Sequence, residues 1–281
     1  RSLDYTITEF PFFSFLLGDL HPHVMSLPFL LLNLSLGLNL FLLPESPGLG
    51  WLRPSAEGLR RHGWELGACA LFLGALAFIN LVDFPVFAAI LGLILLVRSY
   101  GAEKGDLPRA EGNVALVLGP VVVAAVVMFL PFYLTFNSQA SGIGRLGEVS
   151  TRPFLFFLAM GLFFFLGVTF LARQLPGLVR PGRGDGQAVQ LLLVVLLAPF
   201  LLWLAVGLVL SPFRDGITSS LAQAGRRFLW ILPGLVIVGL AGFSAAQRVR
   251  LGPDGIGVVA FPLLLLAAAV YLLVGAELFY L

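Results

Sequence analysis

The sequence predicts an all-α, polytopic membrane protein, a bundle of about eight transmembrane helices. Hydrophobic residues make up 59% of the 281 residues and charged residues only 11%, and the mean hydropathy is +0.99. These values lie far outside the range of soluble globular domains. Several apolar runs also reach the roughly 20 residues that a helix needs to cross about 30 Å of hydrocarbon. The weak ten-residue alternation typical of outer-membrane β-barrels is not seen in the sequence.

The chain opens on a segment that is too short to cross a membrane. Residues 1–22 contain the motif EFPFF and all but the last residue of the motif GDLHPH, and their apolar stretch, residues 10–20, falls short of a full span. We therefore expect an interfacial or re-entrant segment here, followed by one transmembrane domain over residues 23–281. Because a polar-aromatic segment begins the chain and an apolar helix closes it, we also expect an internal piece of a longer polytopic protein.

The apolar runs between polar breaks define eight spans. Two of them begin with recognisable helix-start signals. Asp83 precedes Phe84 and Pro85, so that its carboxylate can cap a helix whose first turn tolerates proline, and Thr151 precedes Arg152 and Pro153 in the same way. The predicted spans cover residues 23–43, 65–82, 84–99, 113–134, 153–173, 188–210, 228–244 and 256–276.

The distribution of positive charge predicts the orientation. If the spans alternate, eleven of the 17 Lys and Arg residues lie at one face and six at the other. The positive-inside rule makes the first face cytoplasmic, so we expect a multi-pass protein of the cell membrane with its motif loops on the non-cytoplasmic side. The net charge of +2 is too small to indicate a nucleic-acid partner, and membrane lipid is the expected partner.

Rare ionisable residues gather at that non-cytoplasmic face. Glu9, Asp19 and Asp83 stand at the edge of apolar runs, where an ionised carboxylate is costly and tends to face a bundle interior or a water-filled cavity. They are therefore candidate catalytic acids or bases. The alternative for each of the three is that the carboxylate only caps a helix. Glu277, near the outer end of the last span, is either a charge that faces the interior or a boundary residue.

His21 and His23 flank Pro22 in the GDLHPH motif. On an extended or turning backbone both imidazoles can point toward one cavity, as binding of a divalent metal ion or a phosphate would require. No HExxH motif, cysteine pair or third obvious ligand accompanies them in the sequence. The alternative is a helix start at Pro22, with both histidines in the interfacial layer.

A glycine-bearing polar loop, residues 134–144, supplies candidate substrate-binding residues. Asn137 and Gln139 lie in it, and its small residues would let the backbone approach a sugar or a phosphate. Arg145 follows directly and offers a guanidinium fork for a lipid phosphate. Further candidates for the same role at this face are Arg152, Arg214, Arg226 and Arg227. The alternatives are an exposed connection for the loop and contact with lipid headgroups for the arginines.

One long motif carries a family resemblance. Residues 6–23, TITEFPFFSFLLGDLHPH, resemble the signature of the YYY-domain (Chlor-Arch YYY) family of membrane proteins, whose function is unknown. Shorter pieces follow in the same order as in that family, at residues 80–85, 130–140 and 277–280. The family is similar in architecture to the GT-C class of membrane glycosyltransferases, which move a sugar from a polyprenyl-phosphate carrier to an acceptor on the outer face. The resemblance implies a GT-C-like fold, a polyprenyl-phosphate-linked sugar as partner, and a part of the site that precedes Arg1.

The leading hypothesis is thus a glycosyltransferase that works on the non-cytoplasmic face. Hydroxyl attack on an anomeric carbon needs a carboxylate base, and the departing phosphate needs positive charge. The alternatives are a transporter, which predicts ionisable residues deep within the spans, and a structural membrane protein without catalysis. In the leading hypothesis Glu9 and Asp19 are the candidate bases, Asp83 supports the cavity, and His21, His23, Arg145 or a divalent cation stabilises the phosphate.

Overall fold

The described part of the chain is almost entirely helical. The computed structural model describes residues 11–18, 21–42, 56–103, 105–136, 144–146, 151–175, 186–210, 217–251 and 259–280. Ten helices and two short strands are assigned within these ranges. They are α1 (Pro11–Leu17), α2 (Pro22–Leu42), α3 (Ala56–Ile79), α4 (Asp83–Ala102), α5 (Leu107–Met128), α6 (Leu130–Thr135), β1 (Gly144–Arg145), α7 (Pro153–Gln174), α8 (Gly186–Leu210), α9 (Ile217–Leu251), α10 (Phe261–Ala276) and β2 (Phe279–Tyr280).

Seven of the described helices are long and apolar enough to cross a membrane. The helix α10 is equally apolar but has 16 residues, or about 24 Å at 1.5 Å per residue, and corresponds to the eighth predicted span. The predicted fold class, an all-α polytopic membrane bundle, is confirmed. The seven segments are Val24–Leu42, Arg60–Ile79, Asp83–Ala102, Leu107–Met128, Pro153–Gln174, Val189–Val209 and Leu221–Val249.

Helix boundaries differ most from the predicted spans where polar residues continue a helix. The helix α9 has 35 residues, whereas the predicted span covered only residues 228–244. Its polar first turns, ITSSLAQAGRR, extend the helix ahead of the apolar part. The predicted span 113–134 is divided instead, because Pro131 in the first turn of α6 cannot donate a backbone hydrogen bond to the end of α5.

The chain divides into two compact units. Unit 1 comprises Arg1–Gly92 and Asn113–Phe136, and unit 2 comprises Leu93–Gly112 and Asn137–Leu281. Each of the helices α4 and α5 contributes one part to each unit. The expected division into an interfacial segment, residues 1–22, and a single bundle, residues 23–281, stays a prediction.

In unit 1, the helix α3 packs against α2 and α5. The rings of Phe29 and Phe72 lie 6.4 Å apart between α2 and α3. The approach of α3 to α5 depends on Gly74, because a Cβ atom built there would lie 2.7 Å from the backbone oxygen of Ala125 and 2.5 Å from the ring of Phe129. Small residues at such crossings allow the backbones of membrane helices to approach closely.

Gly74→Ala is therefore expected to destabilise unit 1 by about 2 kcal/mol, since one of the clashing atoms is backbone and cannot rotate away. Gly67→Ala is the matched control in the same helix, because a Cβ atom at Gly67 meets nothing within 4 Å. Unfolding in mixed lipid and SDS micelles, followed by circular dichroism, measures both. Equal effects of the two substitutions would show that the crossing at Gly74 tolerates a methyl group.

In unit 2, the helix α9 packs between α8 and α10. A Cβ atom at Gly234 would lie 2.8 Å from a methyl group of Val274, so this glycine permits the close approach of α9 and α10. The hydroxyl of Tyr271 donates a hydrogen bond to the backbone oxygen of Val195 at 2.7 Å and ties α10 to α8. The strands β1 and β2 pair antiparallel, with Arg145 opposite Phe279. These contacts bring the residues before α7 and after α10 to one end of unit 2.

Candidate functional site

Three of the predicted site residues have described side chains, namely His21, Asp83 and Arg145. His23 lies in the first turn of α2, and its side chain is outside the described part of the chain. The other predicted site residues, Glu9, Asp19, Asn137 and Gln139, lie outside the described residues.

His21 directly precedes α2 in unit 1. Its backbone oxygen accepts hydrogen bonds from the amides of Val24 at 3.0 Å and Met25 at 3.1 Å, so the helix begins at Pro22. A helix start at Pro22 is the alternative that the sequence left open beside a metal site at the two histidines. Among the described residues, no group of three or more His, Cys, Asp or Glu side chains could hold a metal ion. A divalent metal ion at His21 and His23 stays a prediction.

Asp83 is the first residue of α4, and its side chain closes the hairpin between α3 and α4. The carboxylate oxygen Oδ2 accepts a hydrogen bond from Nδ2 of Asn80 at 3.1 Å, and the amide of Asp83 donates to the backbone oxygen of Asn80 at 3.0 Å. The side chain is half-buried. The hydrogen bond to Asn80 holds this carboxylate in a fixed position at the end of two membrane-length helices.

The aromatic residues of α6 contact the end of α3 that leads into this hairpin. The ring centres of Phe78 and Phe132 lie 4.9 Å apart, and those of Phe132 and Tyr133 lie 5.5 Å apart. Burial raises the pKa of the Tyr133 hydroxyl. These ring contacts pack α6 against the end of α3 in unit 1.

In unit 2, Arg145 is held in place by two neighbouring helices. Its Nε donates to the backbone oxygen of Trp203 at 3.1 Å, and its Nη2 donates to Oε1 of Gln223 at 3.3 Å. The guanidinium carbon also lies 4.0 Å from the centre of the Trp203 ring, which is a cation–π distance. The indole nitrogen of Trp203 donates in return to the backbone oxygen of Leu146 at 2.8 Å. A Cβ atom at Gly207 would lie 2.5 Å from Nη2, so this glycine leaves the space that the guanidinium fills.

Glu277 follows the last residue of α10 and receives three donors on one carboxylate oxygen. Its Oε2 accepts from Nη1 of Arg227 at 3.4 Å, from Nε1 of Trp230 at 3.2 Å and from the amide of Thr151 at 3.3 Å. The side chain of Arg227 is 4% exposed and that of Glu277 is 17% exposed. A charge buried to this degree in a membrane protein needs a partner of opposite sign, which each supplies for the other.

The residues that make these contacts form one group at one end of unit 2. We call this group the arginine–glutamate cluster (Arg145, Trp203, Arg227, Trp230 and Glu277). The guanidinium carbon of Arg227 lies 6.0 Å from the centre of the same Trp203 ring that Arg145 covers. The cluster lies where α10 ends and where the apolar part of α9 begins. It therefore lies at the boundary of the apolar layer that the helices of unit 2 define.

A family model described as uncharacterized membrane protein, DUF2298, matches residues 1–281. The chain belongs to the DUF2298 family. No curated protein and no solved structure matches it. Membership of DUF2298 confirms the predicted membrane family of unknown function, and together with the seven membrane-length helices it confirms the multi-pass membrane protein. The YYY-domain name, the GT-C likeness and the side on which the loops lie stay predictions.

The arginine–glutamate cluster gives this DUF2298 protein groups of three chemical kinds. Guanidiniums bind phosphate or carboxylate oxygens, a carboxylate accepts hydrogen bonds from hydroxyl groups, and an indole packs against apolar surface. With two arginines and one glutamate, the named residues carry a formal charge of +1. The cluster is thus suited to an anionic or hydroxyl-bearing ligand at a membrane boundary.

The sequence predicted Arg145 in this group and gave Arg227 as a further candidate for binding a lipid phosphate. It did not indicate Trp203 or Trp230 as site residues, and it left the role of Glu277 open. The sequence does contain one signal for the pairing of Arg227 with Glu277. Arg227 directly precedes one apolar run and Glu277 directly follows the next. Because consecutive membrane helices are antiparallel, the start of one and the end of the next lie at the same face, so these two charges are able to pair.

Proposed function

We propose that this protein is a GT-C-like membrane glycosyltransferase that transfers a sugar from a polyprenyl-phosphate carrier on the non-cytoplasmic face. The observation that carries the proposal is the arginine–glutamate cluster at the end of unit 2. The groups of a polyprenyl-phosphate-linked sugar fit a charged cluster at the boundary of the apolar layer. Its apolar chain lies in hydrocarbon, its phosphate lies at the boundary, and its sugar lies beyond.

Arg145 is the proposed phosphate-binding residue, and the buried Arg227, which lies at the same Trp203 ring, adds positive charge beside it. When the anomeric carbon leaves the carrier, the phosphate oxygen gains negative charge, and guanidiniums stabilise that charge most where they are already positioned. The hydrogen bonds of Arg145 to Trp203 and Gln223 supply such positioning. The contact of Arg227 with Glu277 fixes the second guanidinium in the same way.

The acceptor hydroxyl needs a base, and Glu9, Asp19 and Asp83 are the proposed carboxylates for this role. Asp83 supports the proposal by its position, because its carboxylate is fixed by Asn80 at the end of the α3–α4 hairpin. The proposed substrate-binding residues in addition to Arg145 are His21, His23, Asn137 and Gln139. No step of the proposal depends on a metal ion.

The test measures turnover of polyprenyl-phosphate-linked sugars by the full-length protein in lipid nanodiscs. Turnover is quantified as the amount of polyprenyl phosphate that is released. Removal of the general base, by Glu9→Gln, Asp19→Asn or Asp83→Asn, is expected to lower kcat at least about 100-fold, which is the contribution typical of such a base. Asp106→Asn is the matched control, because Asp106 pairs with the exposed Arg109 at 3.2 Å and has no proposed role.

Two outcomes would contradict the proposal. Wild-type turnover in all three carboxylate variants would remove the base roles. Failure of the wild-type protein to release polyprenyl phosphate from a panel of carriers with neutral and acidic sugars would overturn the transferase itself.

A further inference from the structure

We propose that Trp230 and Glu277 form a binding site for the pyranose ring of a sugar, an inference that rests on the proposed function for the identity of its ligand. The site uses one aromatic ring and one carboxylate that the packing of α9 against α10 places together. It assigns the sugar, rather than the phosphate, to this side of the arginine–glutamate cluster.

The site lies next to the point where Gly234 allows α9 and α10 to pack closely. Gly234 allows Val274 to approach α9 closely. Because the helices are antiparallel, about one turn back along α9 leads to Trp230 and about one turn forward along α10 leads to Glu277. The two side chains meet there, with the indole nitrogen of Trp230 3.2 Å from Oε2 of Glu277.

This hydrogen bond fixes the orientation of an exposed ring. Tryptophan at a membrane boundary commonly directs its N–H group toward water and lipid headgroups. In Trp230 the N–H group donates to a protein carboxylate instead, while 36% of the residue remains exposed. An accessible part of Trp230 is therefore held beside a carboxylate that is itself 17% exposed.

A pyranose offers complementary groups to both side chains. One face of its ring carries mainly C–H groups, which pack on an indole by burial of apolar area, and its edge carries hydroxyl groups, which donate to a carboxylate. All three protein donors to Glu277 reach Oε2. Oε1 of the same fixed carboxylate is the proposed acceptor for sugar hydroxyls.

Trp203 in the same cluster does not have the properties of a sugar platform. It is fully buried, the guanidinium of Arg145 lies 4.0 Å from its ring centre, and the ring of Phe200 stacks on it at 6.0 Å. Trp64 in unit 1 is 83% exposed and serves as a control for non-specific contact of a sugar with an accessible indole.

The experiment measures binding of methyl α-D-glucopyranoside and methyl α-D-mannopyranoside to the full-length protein in nanodiscs, by saturation-transfer NMR. Sorbitol is the ligand control, because it carries similar hydroxyl groups without a ring face. We expect at least one glycoside to bind and sorbitol to bind about tenfold more weakly. Trp230→Ala is expected to weaken glycoside binding about tenfold, which corresponds to about 1.4 kcal/mol, whereas Trp64→Ala leaves it unchanged.

Trp230→Phe keeps an aromatic ring but removes the hydrogen bond to Glu277, and we expect it to lose less affinity than Trp230→Ala. A thermal unfolding temperature close to that of the wild type shows that this variant is folded and that any loss of binding arises at the site itself. The inference is overturned if the wild-type protein binds neither glycoside, if sorbitol binds equally well, or if Trp230→Ala binds like the wild type. Glycoside binding without transferase turnover retains the sugar site and removes the proposed function, so the two failures are distinguishable.

Discussion

Replacing Glu277 with leucine is expected to destabilise the protein by about 3 kcal/mol, because the substitution removes the carboxylate that balances a buried guanidinium. The side chain of Arg227 is 4% exposed, and its Nη1 lies 3.4 Å from Oε2 of Glu277. The same substitution removes the acceptor for the indole of Trp230 and for the amide of Thr151. The expected loss lies at the lower end for buried pairs because Glu277 retains 17% exposure.

A double variant distinguishes two effects on stability, the loss of the ion pair and the burial of Arg227 without its partner. Arg227→Met combined with Glu277→Leu replaces both charges by apolar groups, and we expect it to be closer in stability to the wild type than Glu277→Leu alone. The surface pair Asp106 and Arg109, 39% and 75% exposed, is the control, and Arg109→Ala, which breaks this pair and leaves the cap of α5 by Asp106 in place, is expected to cost less than about 1 kcal/mol. SDS-induced unfolding in lipid micelles measures all three variants. A double variant as unstable as Glu277→Leu would mean that the other two hydrogen bonds to Oε2 cause the loss.

The sequence predicts the helices well because the length and polarity of a span are local properties. A run such as Pro153–Gln174 contains both its proline start signal and enough apolar residues to cross the membrane. The extension of α9 ahead of its apolar part was missed, because hydropathy reports where hydrocarbon begins and not where helical hydrogen bonds begin. A polar helix turn has no apolar signal in the sequence.

The candidate site was predicted in part for a related reason. Arg145 stood out as a charged residue after a glycine-bearing loop, but its acceptors on Trp203 and Gln223 lie 58 and 78 positions later in the chain. Such contacts depend on how α8 and α9 pack, which a sequence pattern does not specify. The pairing of Arg227 with Glu277 differs, because alternation of consecutive spans restricts both residues to one face.

Trp203→Ala is expected to have the largest effect on stability, a loss of about 4 kcal/mol, because it opens a cavity where one of the largest fully buried side chains stood. Trp203 is fully buried, and its ring contacts Phe200 and the guanidinium of Arg145. The substitution also removes the N–H group that binds the backbone oxygen of Leu146, which anchors the segment that carries Arg145. Trp64→Ala, at a residue that is 83% exposed, is the matched control and is expected to change stability little.

Trp203→Phe tests whether the indole acts through Arg145 or only fills space. The smaller ring keeps most of the apolar contact but loses the N–H donor and weakens the cation–π contact, so we expect a loss of about 1–2 kcal/mol. In a double-mutant cycle with Arg145→Met, the two losses are expected to be non-additive by about 1 kcal/mol, because both substitutions disrupt the same contact. Strict additivity would mean that Trp203 stabilises the helix packing alone and that the position of Arg145 depends on its hydrogen bonds to Gln223 and the α8 backbone.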